Sequence, residues 1–124
     1  MSGLSSRNKG KRGERAVAEL LRNYCNLEVR RRVRQHSNDS DLEGIPGWSV
    51  EVKLQAAPRL ELWWEQARAQ ARPGTQPLLV YRLPRRQWRF VWPVLPQLLA
   101  YEHTVEGSVH AWAEAAGLGL RRDV

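Results

Sequence analysis

The eight residues from Trp48 to Gln55, WSVEVKLQ, constrain the fold of this chain more than any other stretch. Val50, Val52 and Leu54 alternate with Ser49, Glu51, Lys53 and Gln55, and a period of two is the signature of a β-strand. Alternation sends the two sets to opposite faces, with about 7 Å between successive members of one set. A strand this hydrophobic is nearly buried in its sheet, yet Glu51, Lys53 and Gln55 stand in a row on one face. Any fold built on it must accommodate that polar row.

The neighbouring patterns extend the sheet. Leu60 to Arg72 reads as a helix, with Ala67 and Ala71 suited to close packing and Pro73–Gly74 stopping it. Pro77 to Leu83 reads as a buried strand, and Trp88 to Trp92 as a strand paired with it across a basic turn. Upstream, Val17, Leu20, Leu21 and Tyr24 give Lys11 to Asn26 a helical period. Leu27 to His36 reads as a strand with a charged face, and 37–40 as a loop. Asp41 to Ile45 is a short strand before the turn Pro46–Gly47. Two short helices, near Val94–Tyr101 and Ser108–Ala116, are expected to close the chain. Residues 1–10 are Ser, Gly, Asn and basic, and are expected to form a flexible basic tail.

The class is therefore α/β, in the order α-β-β-β-α-β-β plus C-terminal helices, as a mixed β-sheet flanked by helices. Short turns favour antiparallel pairing of the first three strands, and the helix at 60–72 is long enough for a crossover. A length of 124 residues suits a single domain, spanning 1–124, that can bury its own core.

Charge narrows the partner. Residues 1–35 hold ten Lys and Arg against three acids, while the remaining 89 hold ten of each. All the excess positive charge therefore lies in the first third, and that asymmetry points to a polyanion, because Lys and Arg release the counterions condensed on phosphates. The candidate DNA contacts are Arg7, Lys9, Lys11, Arg12, Arg15, Arg30, Arg31, Arg32 and Arg34, with His36 as a possible phosphate contact. The expected readout is of backbone and shape, since nothing resembles a base-reading helix or a zinc finger. No apolar run reaches spanning length and the N-terminus is polar, so no membrane and a cytoplasmic location are expected, in a bacterial, archaeal or phage-infected cell. The lone Cys25 can form no disulfide within the chain and is read as a buried thiol.

The polar row also carries chemistry. If the strands around Pro46–Gly47 form a hairpin, Asp41 comes close to Glu51, and two converging carboxylates repel unless a cation lies between them. Oxygen-only ligation suits Mg²⁺ or Mn²⁺. Such an ion can bind a phosphate oxygen and acidify a water. Lys53 could orient that water or stabilise the charge that develops, Gln55 could hydrogen-bond it, and Glu14 could reach the ion through water.

Asp41, nine residues and then Glu51–Val52–Lys53 resembles the PD-(D/E)xK nuclease motif. The chain further resembles the archaeal-type Holliday junction resolvases and their phage relatives, in four segments running in order from about residue 9 to 93. These are Lys9 to Arg15, Asp41–Leu42, Val50 to Lys53, and Gly74 to Tyr81 followed by Trp88–Arg89–Phe90. The resemblance implies a restriction-endonuclease-like fold and matches Glu14 to the first-helix catalytic acid. It matches Asp41 and Glu51 to the metal-binding carboxylates and Lys53 to the catalytic lysine. It also implies a metal contact from the Val52 carbonyl and a homodimer acting on four-way junctions in DNA recombination. Ser40 stands where the motif name has proline, and the segment after Val94 has no placed counterpart.

The expectation is a magnesium-dependent endonuclease, a hydrolase that cuts branched DNA as a Holliday junction resolvase. Its alternatives are a phage nuclease of the same fold acting on nicked, flap or linear DNA, and a non-catalytic DNA-binding protein. Trp63–Trp64 is expected in core or interface packing, and Trp88, Phe90 and Trp92 in the core or on a dimer surface.

Overall fold

The computed structural model describes residues 3–31 and 42–118, with side chains from Lys9 onward. Three layers result, a four-stranded sheet between helices. α1 (Gly3–Tyr24) is followed by β1 (Arg30–Arg31), β2 (Leu42–Glu43) and β3 (Trp48–Leu54). Then come α2 (Leu60–Gln70), β4 (Gln76–Arg82), β5 (Arg89–Pro93), a 3₁₀ turn at Tyr101–His103, β6 (Thr104–Gly107) and α3 (Val109–Ala115). The main sheet has the order β3-β4-β5-β6, parallel between β3 and β4 and antiparallel beyond. α2 is thus the expected crossover. β1 and β2 pair antiparallel as a separate ribbon that lies against α1 and β3.

The alternation of the strands decides which helix covers which face. Val50 and Val52 align with Leu78 and Val80, and Val80 with Phe90. These side chains, with Trp92, meet Val17, Ala18 and Leu21 of α1 and Val109, Trp112 and Ala113 of α3. Phe90 stacks on Trp112 at 5.5 Å, and Trp48 meets the same indole edge-on at 5.5 Å. On the other face Leu79, Tyr81 and Val91 receive Trp63, Trp64 and Ala67 of α2. Gly44 lets backbone pack closely: its φ is +95°, and a Cβ there would lie 2.3 Å from the Glu28 carbonyl oxygen. At Gly13 a Cβ would meet the Val52 and Leu54 side chains at 3.4 Å, so α1 sits directly on β3 there.

Several expectations need correction. α1 begins at Gly3, earlier than the Lys11 start expected, so residues 3–10 are drawn into the helix; extending a nucleated helix costs far less than starting one. Of the strand expected over Leu27–His36, Arg30–Arg31 pair with β2, 27–29 lie outside the ladder with the Val29 carbonyl accepting from Arg22 Nη1 at 2.6 Å, and 32–36 lie outside the described residues. No ladder joins β2 to β3 among the described residues, although the turn at Pro46–Gly47 is present.

Val94–Tyr101 is not a helix: Pro96 biases Leu95 away from helical geometry, and the segment makes a turn closed by the Leu98 N–H on the Leu95 carbonyl. β6 was not expected at all. Of the two placements expected for Trp88, Phe90 and Trp92, the core is the one found: Phe90 and Trp92 lie under α1 and α3, and Trp88 packs beside them. Cys25 is buried, which pushes its thiol pKa up. No described helix is long and apolar enough to cross a membrane.

Candidate active site

Among the described residues β3 is an edge strand of the main sheet, with β4 on one side only. Its polar set faces α2, because Glu51 aligns with Leu79 and Lys53 with Tyr81, both of which pack beneath that helix. Glu51 is only 6% exposed and lines a narrow gap with Ser49, Ala67 and Gln70. Lys53 is half-buried, and Gln55 lies exposed just past the strand end, its N–H donating to the Arg82 carbonyl at 3.3 Å. The strand therefore carries a buried carboxylate and a more accessible amine on one face.

Ser49 holds the start of this strand in place. Its hydroxyl accepts from the Arg72 N–H at 2.9 Å and lies 2.6 Å from the Thr75 hydroxyl, which donates to the Arg72 carbonyl at 2.6 Å. The Arg72 guanidinium also donates to the Trp48 carbonyl at 3.2 Å. The end of α2 and the approach to β4 are thus tied to Ser49 and Trp48, two and three positions before Glu51.

Glu14 follows Gly13 at the point where α1 touches β3. Its carboxylate accepts from Arg31 Nε at 2.9 Å, with the acid's side chain 14% exposed. Arg30 meets Glu43 across the β1–β2 ribbon at 3.8 Å. Two of the expected DNA contacts are therefore engaged with carboxylates of the chain itself. Lys11, Arg12 and Arg15 are exposed on α1, and Lys9 is half-buried there. Asp41, Arg32, Arg34 and His36 lie outside the described residues, as does the side chain of Arg7.

The donor chemistry suits a hard divalent ion. Glu51 supplies a nearly buried carboxylate donor and the Val52 carbonyl follows it on the same strand, a set of hard oxygens. Among the described residues, which leave out Asp41, no group of three acids, histidines or cysteines gathers into a cage.

A second polar group on the same face was missed from sequence. Tyr81 donates to Glu106 Oε2 at 3.0 Å, and Arg89 Nε donates to the same oxygen at 3.0 Å. Burial first, and then the hydrogen bond and charge of Glu106, push the phenol pKa up to about 12, against a smaller opposing pull from Arg89. Lys53, Tyr81 and Arg89 align in one row across β3, β4 and β5. The row was hidden because its acid comes from β6, whose four residues are too few to show a period.

Residues 5–111 match a family model described as "Phage putative PDDEXK endonuclease". That match runs past Val94 through β6 and into α3, the segment for which sequence reading placed no counterpart. Among solved structures, the Holliday junction resolvase Hjc of the archaeal hyperthermophile Archaeoglobus fulgidus is similar in fold, with a TM-score of 0.52 and 24% sequence identity. The similarity covers 91% of this chain and 99% of that one. No curated protein matches.

Proposed function

The chain belongs to the phage PDDEXK endonuclease family, and from that premise we propose that it is a metal-dependent, structure-selective DNA endonuclease that cuts branched DNA as a Holliday junction resolvase. The observation that carries this reading is Glu51, a nearly buried carboxylate followed by Lys53 on the same face of an edge strand. Asp41, Glu51 and the Val52 carbonyl would hold Mg²⁺ or Mn²⁺, which when bound polarises a phosphate oxygen and acidifies a water. Lys53 stabilises charge developing on the phosphate, and Gln55 hydrogen-bonds the attacking water or a phosphate oxygen. Glu14, clamped by Arg31, sits on α1 over the opposite face of β3 from Glu51, and would have to approach the ion past the edge of that strand. Arg7, Lys9, Lys11, Arg12 and Arg15 grip phosphates along α1, joined by Arg32, Arg34 and His36, while Arg30 and Arg31 are held by Glu43 and Glu14.

Resolving a four-way junction takes two nicks in opposing strands, so a chain with one site works as a homodimer. Leu62, Val94, Leu95 and Leu98 are exposed apolar groups suited to such contact. The fold shared with the archaeal resolvase supports the junction as substrate.

The test is cleavage of linear, nicked, flap and four-way DNAs by the native protein and by Asp41→Asn and Glu51→Gln. The native protein should cut the junction preferentially with Mg²⁺. Each variant should lose at least about a thousand-fold in rate, because it loses a metal-binding charge while keeping its shape, and both should still bind DNA. Turnover retained at saturating Mg²⁺ places the chemistry elsewhere. Equal cutting of every DNA leaves a general nuclease, and binding without any cutting leaves a DNA-binding protein.

A further inference from the structure

We propose that the β4–β5 turn is a second DNA-backbone contact, lying across the end of β3 from the basic half of α1. This rests on the DNA reading above and adds a surface that the charge distribution along the sequence conceals, since the last 89 residues are neutral in sum.

The turn runs Leu83–Pro84–Arg85–Arg86, closed by the Arg86 N–H donating to the Leu83 carbonyl at 3.1 Å. Arg85 has φ of +63°, the one positive-φ residue other than glycine among the described residues. Pro84 before it and a positive φ at the third position are features of a type II turn, where glycine or asparagine is the favoured occupant. An arginine there is strained and places its side chain in solvent. Strain retained at an exposed charged residue points to a use for that side chain.

The surroundings supply the second argument. Arg85 and Arg86 are both exposed and meet no carboxylate among the described residues. Arg30, Arg31, Arg68 and Arg89, by contrast, each meet one at between 2.9 and 3.8 Å. Glu65 and Glu106 are thus taken by Arg68 and Arg89, while no carboxylate among the described residues meets the turn.

Packing fixes where that charge sits. The Arg82 guanidinium stacks over the Trp88 ring at 5.4 Å, bracing the two ends of the turn. The same indole lies 3.7 Å from where a Cβ on Gly13 would be, beside exposed Arg12. The Gln55 N–H reaches the Arg82 carbonyl, so the end of β3 lies between the turn and α1. A phosphate backbone running from Arg12 to Arg85 and Arg86 therefore passes the end of the strand that carries Lys53. Guanidinium groups suit phosphate oxygens through their planar fork. The contact is to backbone, and it should serve duplex and junction arms alike.

The experiment is fluorescence anisotropy with a labelled linear duplex and a four-way junction of the same sequences, across a salt series in EDTA. Arg85→Gly/Arg86→Ser should lower the slope of log affinity against log salt by about two units and weaken binding about ten-fold on both DNAs. Its thermal midpoint should stay unchanged or rise, because glycine relieves the positive φ. Arg85→Lys/Arg86→Lys should keep the native slope. Arg68→Ser, which removes an arginine paired with Glu65, should leave it unchanged as well. A native slope in the Gly/Ser variant, with native DNA binding intact, overturns the turn contact and leaves the nuclease reading standing. A native protein without salt-dependent DNA binding overturns both.

Discussion

The two faces of the sheet are built on opposite terms. The face under α1 and α3 is apolar throughout, from Val50 and Val52 across Leu78 and Val80 to Phe90 and Trp92. The face under α2 mixes Leu79 and Val91 with Ser49, Glu51, Lys53, Tyr81 and Arg89. Burying polar groups costs free energy unless partners are built for them. The first face can therefore supply stability at no cost to chemistry, while the second gives up some stability to hold charged groups in place. One strand serves both because successive side chains point opposite ways, so the residues that anchor β3 and those that act from it need not compete for space.

The sharpest way to break this contrast is to hollow the apolar face. Phe90 is fully buried and stacked on Trp112, with α3 resting on both. Phe90→Ala removes that contact and leaves a cavity, and should cost about 3–5 kcal/mol in urea unfolding. A loss under about 1 kcal/mol would mean that the stabilising weight lies elsewhere.

On the polar face a change of similar burial should cost less and act differently. Ser49 is 3% exposed, and Ser49→Ala removes almost no volume. It does leave the Arg72 N–H without its acceptor and breaks the link to Thr75. The cost should be about 1–3 kcal/mol, the range for stranding a buried donor. Ser49→Thr, which keeps the hydroxyl, should recover most of it. If Ser49→Ala is neutral in urea unfolding, the tie between β3 and the end of α2 is not a stabilising one.

The same contrast explains what could be read from sequence. Val50, Val52 and Leu54 announce β3 because a buried strand must keep its period, and Glu51 and Lys53 are conspicuous for interrupting it. α2, β4 and β5 were legible for similar reasons: a helical period ended by Pro73–Gly74, then two apolar runs separated by a basic turn. The polar contacts of the second face were not. Tyr81 and Glu106 are 25 residues apart, and their meeting depends on β6, a strand formed mainly by pairing with β5. The helix expected at Val94–Tyr101 failed on Pro96, whose effect on Leu95 outweighed the apolar residues around it. The free charge of Arg85 and Arg86 was invisible because a sum over residues does not say which acid is already taken.

The smallest effect tests whether the polar face is internally satisfied. Glu106 Oε2 accepts from both Tyr81 and Arg89, so removing the phenol leaves the acid still paired. Tyr81→Phe keeps the ring beside Trp63, 5.8 Å away, and at neutral pH should cost about 1 kcal/mol, as for one hydrogen bond. Its value lies in the pH dependence. The native phenol titrates at about 12, against an ordinary value of 10.0, so the folded state keeps a proton that the unfolded state gives up first. Stability from this group is therefore complete below about pH 10 and falls as pH rises toward 12, by at most about 2–3 kcal/mol. Tyr81→Phe has no phenol to titrate there, so its disadvantage should shrink over that window and approach zero or reverse. Urea unfolding of both proteins at neutral pH and through the alkaline range measures it. A difference that stays constant up to about pH 12 would mean that the phenol titrates alike in the folded and unfolded chain. Tyr81 would then owe nothing to Glu106, and the second face would hold its charges separately and not as a linked set.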